Sequence, residues 1–218
     1  LSHFLQLNNN YVLGIDMSLG SLKLAVDHKM RNGLSRSGFA QMNIFDLAVR
    51  DASFDVVISH GVLHHTFDAR RAFAAIARKA KPGGIIMVGL YNSYARIPTW
   101  ARSKVIGLTG GNIDYVVRNR IKDARKAEIW IKDQYYNPHE TWHSIGEVQT
   151  WFDENDIEYL NCSPAILGTD GEDAEDAGDL FRQTGPGNAY QRVVTQLSWL
   201  GTIAREGALF DVIGRKRS

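Results

Sequence analysis

Four short apolar segments in the first half of the chain alternate with segments of helical periodicity. The apolar segments are typical of β-strands and cover residues 11–15, 39–42, 54–59 and 85–90. Between the first two, Ser18 is a suitable N-cap and Gly33 a suitable C-cap for a helix. Strands that alternate with helices through short loops predict an α/β fold with a parallel sheet. The unbroken apolar run at 54–59 also predicts a strand buried on both faces.

This alternation of predicted strands and helices ends after Asn92. Residues 93–143 are polar and helical in pattern, and we interpret them as a helical insertion that caps a site. A capping box at Ser144 opens a further helix, and residues 157–162 and 209–214 are predicted strands. We therefore divide the chain into residues 1–92, 93–143 and 144–218, with an inserted loop and helix at 168–207 whose helix covers 190–205.

Charge is nearly balanced over the 218 residues, with a formal net charge of +1. This balance argues against a nucleic-acid partner without excluding one. Residues 96–126 are nevertheless rich in Lys and Arg, and residues 170–179 are rich in Asp and Glu. The simpler interpretation is two solvated surface segments. The alternative is a basic lid in which Arg118, Arg120 and Arg125 hold an anionic substrate.

The cysteine content and the hydropathy of the chain indicate the cellular compartment in which the protein is expected. Cys162 is the only cysteine, which excludes an internal disulfide framework and fits a reducing cytoplasm. The longest apolar run, at residues 85–90, is too short to span a bilayer. We therefore predict a cytoplasmic protein with a small-molecule substrate and no membrane span.

Asp16 ends the first predicted strand. In an open parallel sheet, ligands bind beyond the carboxyl ends of the strands. A carboxylate in that position accepts two hydrogen bonds from a ribose diol. The alternative is that Asp16 only caps the helix that follows.

Four stretches, GIDMS, FAQMNIFDL, SFDVVISHGVLHHTFD and KPGGIIMVGLYN, together resemble the class I S-adenosylmethionine-dependent methyltransferases. The resemblance covers residues 1–92 and extends to 145–163 and 208–216. It implies a Rossmann-like sheet with helices on both faces and S-adenosylmethionine as cofactor. The cofactor-binding residues that it implies are Asp16, Met17, Ser18, Asn43, Ile44, Ser59 and His60. Asn43 stands where the family usually has an acid, and Met17 and Ile44 are as readily explained as core residues.

The chain begins in what looks like the end of a helix, at residues 1–7. In the family, a central first strand and a glycine-rich loop precede that helix. We therefore expect a fragment that lacks the central strand, which would pair between the strands ending at Asp16 and Ser59. A fragment of this kind is expected to bind S-adenosylmethionine weakly or not at all.

Methyl transfer from a sulfonium is an in-line displacement, in which much of the enzyme's work is positioning. A base can assist attack by an oxygen or nitrogen acceptor, and His64 is our candidate for this catalytic role. The alternative is that His64 only packs at the start of a helix. His65, Tyr91 and Asn92 follow the same strand ends and are candidates for substrate binding.

The sequence HETWH at residues 139–143 matches the zinc-binding motif H-E-x-x-H. That motif needs a helix, whereas Pro138 and Ser144 predict a loop here, so a zinc metalloprotease is a remote alternative. We instead expect His139, Glu140 and His143 to bind substrate, with no metal. The predicted function is S-adenosylmethionine-dependent methyl transfer to a small molecule or a lipid- or sugar-linked intermediate. The alternative is a non-catalytic Rossmann-like domain that binds a nucleotide or a partner.

Overall fold

A computed structural model describes residues 10–109, 113–170 and 181–218. The chain forms two compact units, Leu1–Arg50 and Asp51–Ser218. The predicted helix end at residues 1–7 and most of the acidic segment at 170–179 lie outside the described residues. The expectation of a missing strand and the predicted divisions at residues 92 and 143 stay predictions.

The first unit is a strand–helix–strand arrangement. Strand β1 (Val12–Asp16) pairs in parallel with β2 (Ser37–Gln41), and helix α1 (Leu19–Arg31) connects them. Ser18 begins the helix, because its side chain accepts a hydrogen bond from the backbone N–H of Ser21 at 3.2 Å. Gly33 follows the helix with a positive φ of 63°. The predicted strands, the helix and its Ser18 N-cap are thus confirmed, whereas the C-cap is Asn32 and Gly33 is the residue after it.

The second unit contains a four-stranded sheet in the order β3-β4-β6-β5. Its strands are β3 (Phe54–His60), β4 (Ala80–Tyr91), β5 (Ile157–Ser163) and β6 (Leu209–Lys216). Strands β3 and β4 are parallel, whereas β6 runs antiparallel to both of its neighbours. The α/β class is therefore confirmed, with a mixed rather than a wholly parallel sheet.

Most of the second unit's helices follow the predicted pattern. A 3₁₀ turn (Leu63–His65) precedes α2, and the side chain of Asp68 caps α2. The α-helices are α2 (Ala69–Ala77), α3 (Ile97–Ser103), α4 (Ile106–Thr109), α5 (Tyr115–Asn119), α6 (Ala124–Tyr135), α7 (Ile145–Glu154) and α8 (Ala189–Ser198). The helix predicted at 190–205 is too long, because α8 ends at Ser198 and a separate 3₁₀ turn (Ile203–Glu206) follows. Across the described ranges, no helix combines the length and apolar character that crossing a membrane requires.

Strand β3 departs from its predicted burial. We expected it to be covered on both faces, yet the side chain of Val56 is 43% exposed. The physical reason is that β3 lies at the edge of the four-stranded sheet, where β4 is its one hydrogen-bonded neighbour in that sheet. The core lies on the other strands, where Ile86, Val88 and Phe210 are fully or almost fully buried.

Candidate active site

Polar groups of the first unit gather at the carboxyl ends of β1 and β2. Asp16 and Gln41 are register partners, and the backbone N–H of Met42 donates to the carbonyl of Asp16 at 3.3 Å. The segments 16–18 and 41–44 therefore lie together. This places five of the predicted cofactor-binding residues at one end of the strand pair: Asp16, Met17, Ser18, Asn43 and Ile44.

The Asp16 carboxylate supports the turn into α1 but is not its cap. Its Oδ1 accepts a hydrogen bond from the backbone N–H of Ser18 at 2.7 Å, whereas Ser18 itself caps the helix. The side chain is exposed, and Oδ2 has no hydrogen-bond partner among the described residues. An oxygen thus stays available for a ligand hydroxyl.

Asn43 begins a tight turn in the first unit. Its Oδ1 accepts a hydrogen bond from the backbone N–H of Phe45 at 3.0 Å, and its backbone carbonyl accepts one from Asp46. A carbonyl oxygen has two lone pairs, so Oδ1 retains the capacity to accept a second bond. Ile44 is half-buried beside it and Met17 is exposed.

In the second unit, β3 ends in Ser59 and His60. Ser59 is buried, and its hydroxyl has no hydrogen-bond partner in the part of the chain that the structure describes. His60 points its Nδ1 at Oδ1 of Asp211, on β6, at 2.8 Å. The hydrogen bond to this carboxylate raises the pKa of His60 above its usual value, against the opposing effect of partial burial.

His64 lies in the 3₁₀ turn after β3 and is fully buried. Its ring stacks on that of Tyr91 with centroids 3.9 Å apart, and the ring of His65 meets it edge-on at 4.2 Å. Neither ring nitrogen has a hydrogen-bond partner among the described residues. Burial lowers the pKa of His64 to about 2, so its imidazole is neutral at physiological pH.

The Tyr91 ring also contacts a charged side chain, that of Arg96. The guanidinium carbon of Arg96 lies 3.9 Å from the centre of the Tyr91 ring, within the range of a cation–π contact. The Tyr91 hydroxyl accepts a hydrogen bond from Nε2 of Gln134 at 2.8 Å, and burial raises the pKa of Tyr91 to about 12. Arg96 in turn binds both carboxylate oxygens of Glu140.

Arg96 and Gln134 were not found from the sequence. Arg96 was grouped with solvated surface bases, and that interpretation is wrong for it because the residue is almost fully buried. Its local sequence does not distinguish it from the exposed bases of the same segment. A pocket of about 150 Å³ lies beside this cluster, lined by Arg96, Trp100, Gln134, Glu140 and Trp142 among others.

The polar groups of Asn92 are used within the protein. Asn92 is fully buried, and its Oδ1 accepts hydrogen bonds from the backbone N–H groups of Tyr94 and Ala95, each at 3.0 Å. Its Nδ2 donates to Oε1 of Gln196 at 2.9 Å. In this conformation Asn92 stabilises the backbone turn that follows β4.

The HETWH segment lies in a loop, as predicted. His143 is buried with Nε2 at 2.8 Å from Thr141 Oγ1 and Nδ1 at 3.0 Å from Glu147 Oε1, whereas His139 is exposed. The Glu140 carboxylate is bound by Arg96 and by the indole N–H of Trp142. No group of three or more metal-ligating side chains gathers within the described ranges. The geometry therefore gives the zinc metalloprotease interpretation no support.

Comparison with known proteins supports the resemblance in the first part of the chain and shows the fold. Residues 1–88 match the methyltransferase domain family. Over most of its length, the chain also superposes on PKMT2 from Rickettsia typhi in complex with AdoHcy, with a TM-score of 0.61 at 13% identity, covering 95% of this chain and 45% of that one. The fold is that of the class I S-adenosylmethionine-dependent methyltransferases, so the resemblance seen in the sequence is confirmed. The cofactor of that family is S-adenosylmethionine.

The curated relatives include one that is named as a methyltransferase. An uncharacterized protein of Synechococcus is 28% identical over 178 residues, covering 70% of this chain and 42% of that protein. A ubiquinone biosynthesis O-methyltransferase of Paracidovorax citrulli is 34% identical over 86 residues, covering 39% of this chain and 36% of that protein. The chain thus spans less than half the length of these relatives.

Proposed function

We propose that this protein transfers a methyl group from S-adenosylmethionine to an acceptor that is a small molecule or a lipid- or sugar-linked intermediate. The observation that carries the proposal is the exposed Asp16 carboxylate at the carboxyl end of β1, inside the stretch that matches a methyltransferase domain. Ligands of open α/β sheets bind at strand ends of this kind.

The residues of the first unit fit the chemistry of the cofactor. Asp16 would accept a hydrogen bond from the ribose diol through Oδ2, and Asn43 would accept one from the adenine amino group through Oδ1. Met17 and Ile44 would supply apolar surface to the adenine, and Ser18 would fix the turn between Asp16 and α1. When bound, S-adenosylmethionine supplies an activated methyl group.

Residues of the second unit are assigned to the acceptor. His139 is exposed, so its ring is a candidate for direct contact. Nδ1 of His65 is held near protein groups, 3.2 Å from the backbone carbonyl of His139 and 3.0 Å from Nδ2 of Asn137, which leaves Nε2 of His65 as the other candidate. Tyr91, Asn92, Glu140 and His143 are largely engaged with protein groups, and we assign them to shaping the pocket wall. In the basic lid, Arg120 already pairs with Glu206 at 2.5 Å, which leaves exposed Arg118 and Arg125 as the stronger candidates for holding an anion.

Transfer of tritium from methyl-labelled S-adenosylmethionine to added acceptors tests the proposal. Catechol is the hydroxyl probe and 2-aminoethyl phosphate the amine probe. At S-adenosylmethionine concentrations below saturation, we expect a labelled product whose yield Asp16→Ala lowers about tenfold and the exposed control His28→Gln leaves unchanged. Cofactor binding without transfer to any acceptor tried, including a cell extract depleted of protein, would instead favour the non-catalytic nucleotide-binding domain.

A further inference from the structure

Three residues on neighbouring strands of the second unit form a row across the sheet. His60 on β3 is the register partner of Gly89 on β4, and Gly89 is the register partner of Asp211 on β6. The two outer side chains meet above the middle residue, with His60 Nδ1 and Asp211 Oδ1 2.8 Å apart. A hydrogen bond between side chains two strands apart is possible only because the strand between them carries no side chain there.

Gly89 is what allows this contact. A Cβ atom at position 89 would lie 2.5 Å from Asp211 Oδ1 and 2.5 Å from His60 Nδ1, closer than non-bonded atoms approach. Glycine weakens a strand, so its presence in the middle of a sheet often marks close approach of other groups. Here those groups are the two members of the pair.

We propose that His60 and Asp211 form a proton-accepting pair that deprotonates the methyl acceptor, and hence that the acceptor attacks through a hydroxyl or an amine. This inference rests on the proposed methyltransferase function and names its acceptor class. His60 is the catalytic residue of the pair, and Asp211 is a positioning residue that acts through it.

The chemistry of the pair follows from its geometry. A carboxylate only accepts hydrogen bonds, so Nδ1 of His60 carries the proton and Nε2 presents its lone pair. The His60 side chain is 49% exposed, and Nε2 has no hydrogen-bond partner among the described residues, so it is open to a substrate. Asp211 is only 16% exposed and stabilises the imidazolium that forms.

The step balances without any additional reagent. The lone pair of the acceptor oxygen or nitrogen forms the new bond to the methyl carbon, while the carbon–sulfur bond breaks and its electron pair stays on sulfur. The proton of the acceptor moves to Nε2 of His60 and then to solvent. The overall products are the methylated acceptor, S-adenosylhomocysteine and a proton.

This proposal moves His60 from the cofactor, where the resemblance assigned it, to the acceptor. His60 is better placed for this role than His64, our catalytic candidate from the sequence. A general base works best when its pKa lies near the working pH and its nitrogen reaches the substrate. His64 is fully buried with its pKa lowered to about 2, whereas the Asp211 carboxylate raises the pKa of half-exposed His60. The charged group that contacts His60 is Asp211 from β6, and His64 from the 3₁₀ turn interacts with it electrostatically. Its register partner on β4 is Gly89, which has no side chain.

The pair is tested by ¹⁵N NMR of the histidine rings in the 218-residue chain, titrated with pH. His60→Gln assigns the resonance. We expect the neutral ring of His60 to carry its proton on Nδ1 and its pKa to fall in the near-isosteric Asp211→Asn variant. Gly89→Ala should also lower this pKa by separating the two side chains, while His28→Gln should leave it unchanged. A neutral ring protonated on Nε2, or a pKa that Asp211→Asn does not move, would overturn the pair.

Turnover distinguishes a catalytic pair from a structural one. With catechol as the probe, His60→Gln should lower kcat about 10²-fold or more, with little change in the KM for S-adenosylmethionine. In Asp211→Asn the acidic limb of the kcat profile should move to lower pH together with the pKa of His60. Equal kcat in wild type and His60→Gln would overturn the catalytic role while leaving the proposed function intact. A chain that shows the pair by NMR but binds no S-adenosylmethionine would contradict the proposed function instead.

Discussion

The guanidinium of Arg96 and the carboxylate of Glu140 form a two-point ion pair that is almost closed to solvent. Nε and Nη2 of Arg96 donate to the two oxygens of Glu140 at 2.8 and 2.6 Å, and the side chains are 1% and 15% exposed. Arg96 also donates to the carbonyls of Gln134 and Gly207. One side chain thus links the region before α3 to the end of α6, the HETWH loop and the start of β6.

Removing Glu140 should be far more damaging than removing an exposed acid. Glu140→Ala leaves the buried Arg96 guanidinium without its carboxylate, which we expect to lower the free energy of unfolding by about 3–5 kcal/mol. Glu128, which pairs with Lys132 on the surface of α6, is the matched control, and Glu128→Ala should leave the free energy of unfolding almost unchanged, because water screens an exposed pair. Urea denaturation measures both, and equal losses would show that the Arg96–Glu140 pair does not hold the fold together.

Burial of His64 should make the protein sensitive to acid. The unfolded chain protonates His64 below its ordinary pKa of 6.5, whereas the folded chain resists protonation until pH about 2. The unfolded state therefore binds more protons, and His64 lowers stability by about 2 kcal/mol between about pH 7.5 and pH 5.

His64→Leu should abolish that part of the pH dependence, while leaving most of the packing against Tyr91. His28→Leu, at an exposed position of α1, is the control and should change it little. Thermal or urea unfolding at the two pH values measures the difference. A His64→Leu variant as acid-sensitive as wild type would contradict the buried placement of His64.

The His60–Asp211 hydrogen bond predicts the opposite dependence of stability on pH from that of His64. The folded state raises the pKa of His60, so the stabilisation is fully present below the ordinary pKa of 6.5 and is lost as pH rises through the folded pKa. Asp211→Asn should therefore destabilise the protein more at about pH 6 than at about pH 9. His60 is half-exposed, so the difference should stay below about 1 kcal/mol. A larger loss at the higher pH would contradict the assigned pairing.

Replacing Gly214 and Gly20 by alanine should change the free energy of unfolding in opposite directions. A Cβ on Gly214 in β6 would lie 2.5 Å from side-chain atoms of both Ile157 and Phe152, so Gly214→Ala should destabilise the fold by about 1–3 kcal/mol. A Cβ on Gly20 in α1 would contact Ser18 Oγ at 3.5 Å, an ordinary van der Waals distance, so Gly20→Ala should stabilise by about 0.5–1 kcal/mol. Urea denaturation of each variant measures the change, and a neutral Gly214→Ala would contradict the close packing of α7 and β5 on β6.

Local signals in the sequence were sufficient for the strands and the helix starts. Ser18 and Ser144 cap their helices in the structure because a cap depends on residues three positions apart in sequence. Asp16 was likewise recognisable as the polar end of an apolar strand.

Long-range partners were not predictable from the same signals. Asp211 lies 151 residues from His60, and Arg96 lies 44 residues from Glu140, so neither pair leaves a local pattern. The exposure of β3 was missed for a related reason, since an apolar run does not reveal whether its strand lies at the edge of a sheet. The chemistry of the site thus depends on tertiary contacts that a motif search does not detect.

Cofactor binding through Asp16 tests the central claim most directly. Ligand-observed saturation-transfer NMR detects even the weak binding that the sequence leads us to expect, and S-adenosylmethionine is the ligand. We predict saturation transfer to the ribose and adenine protons in wild type and in the control Asp27→Ala, whose carboxylate lies exposed on α1. Asp16→Ala should weaken binding about tenfold through loss of a charge-assisted hydrogen bond. No transfer in wild type, or equal transfer in Asp16→Ala, would contradict the account.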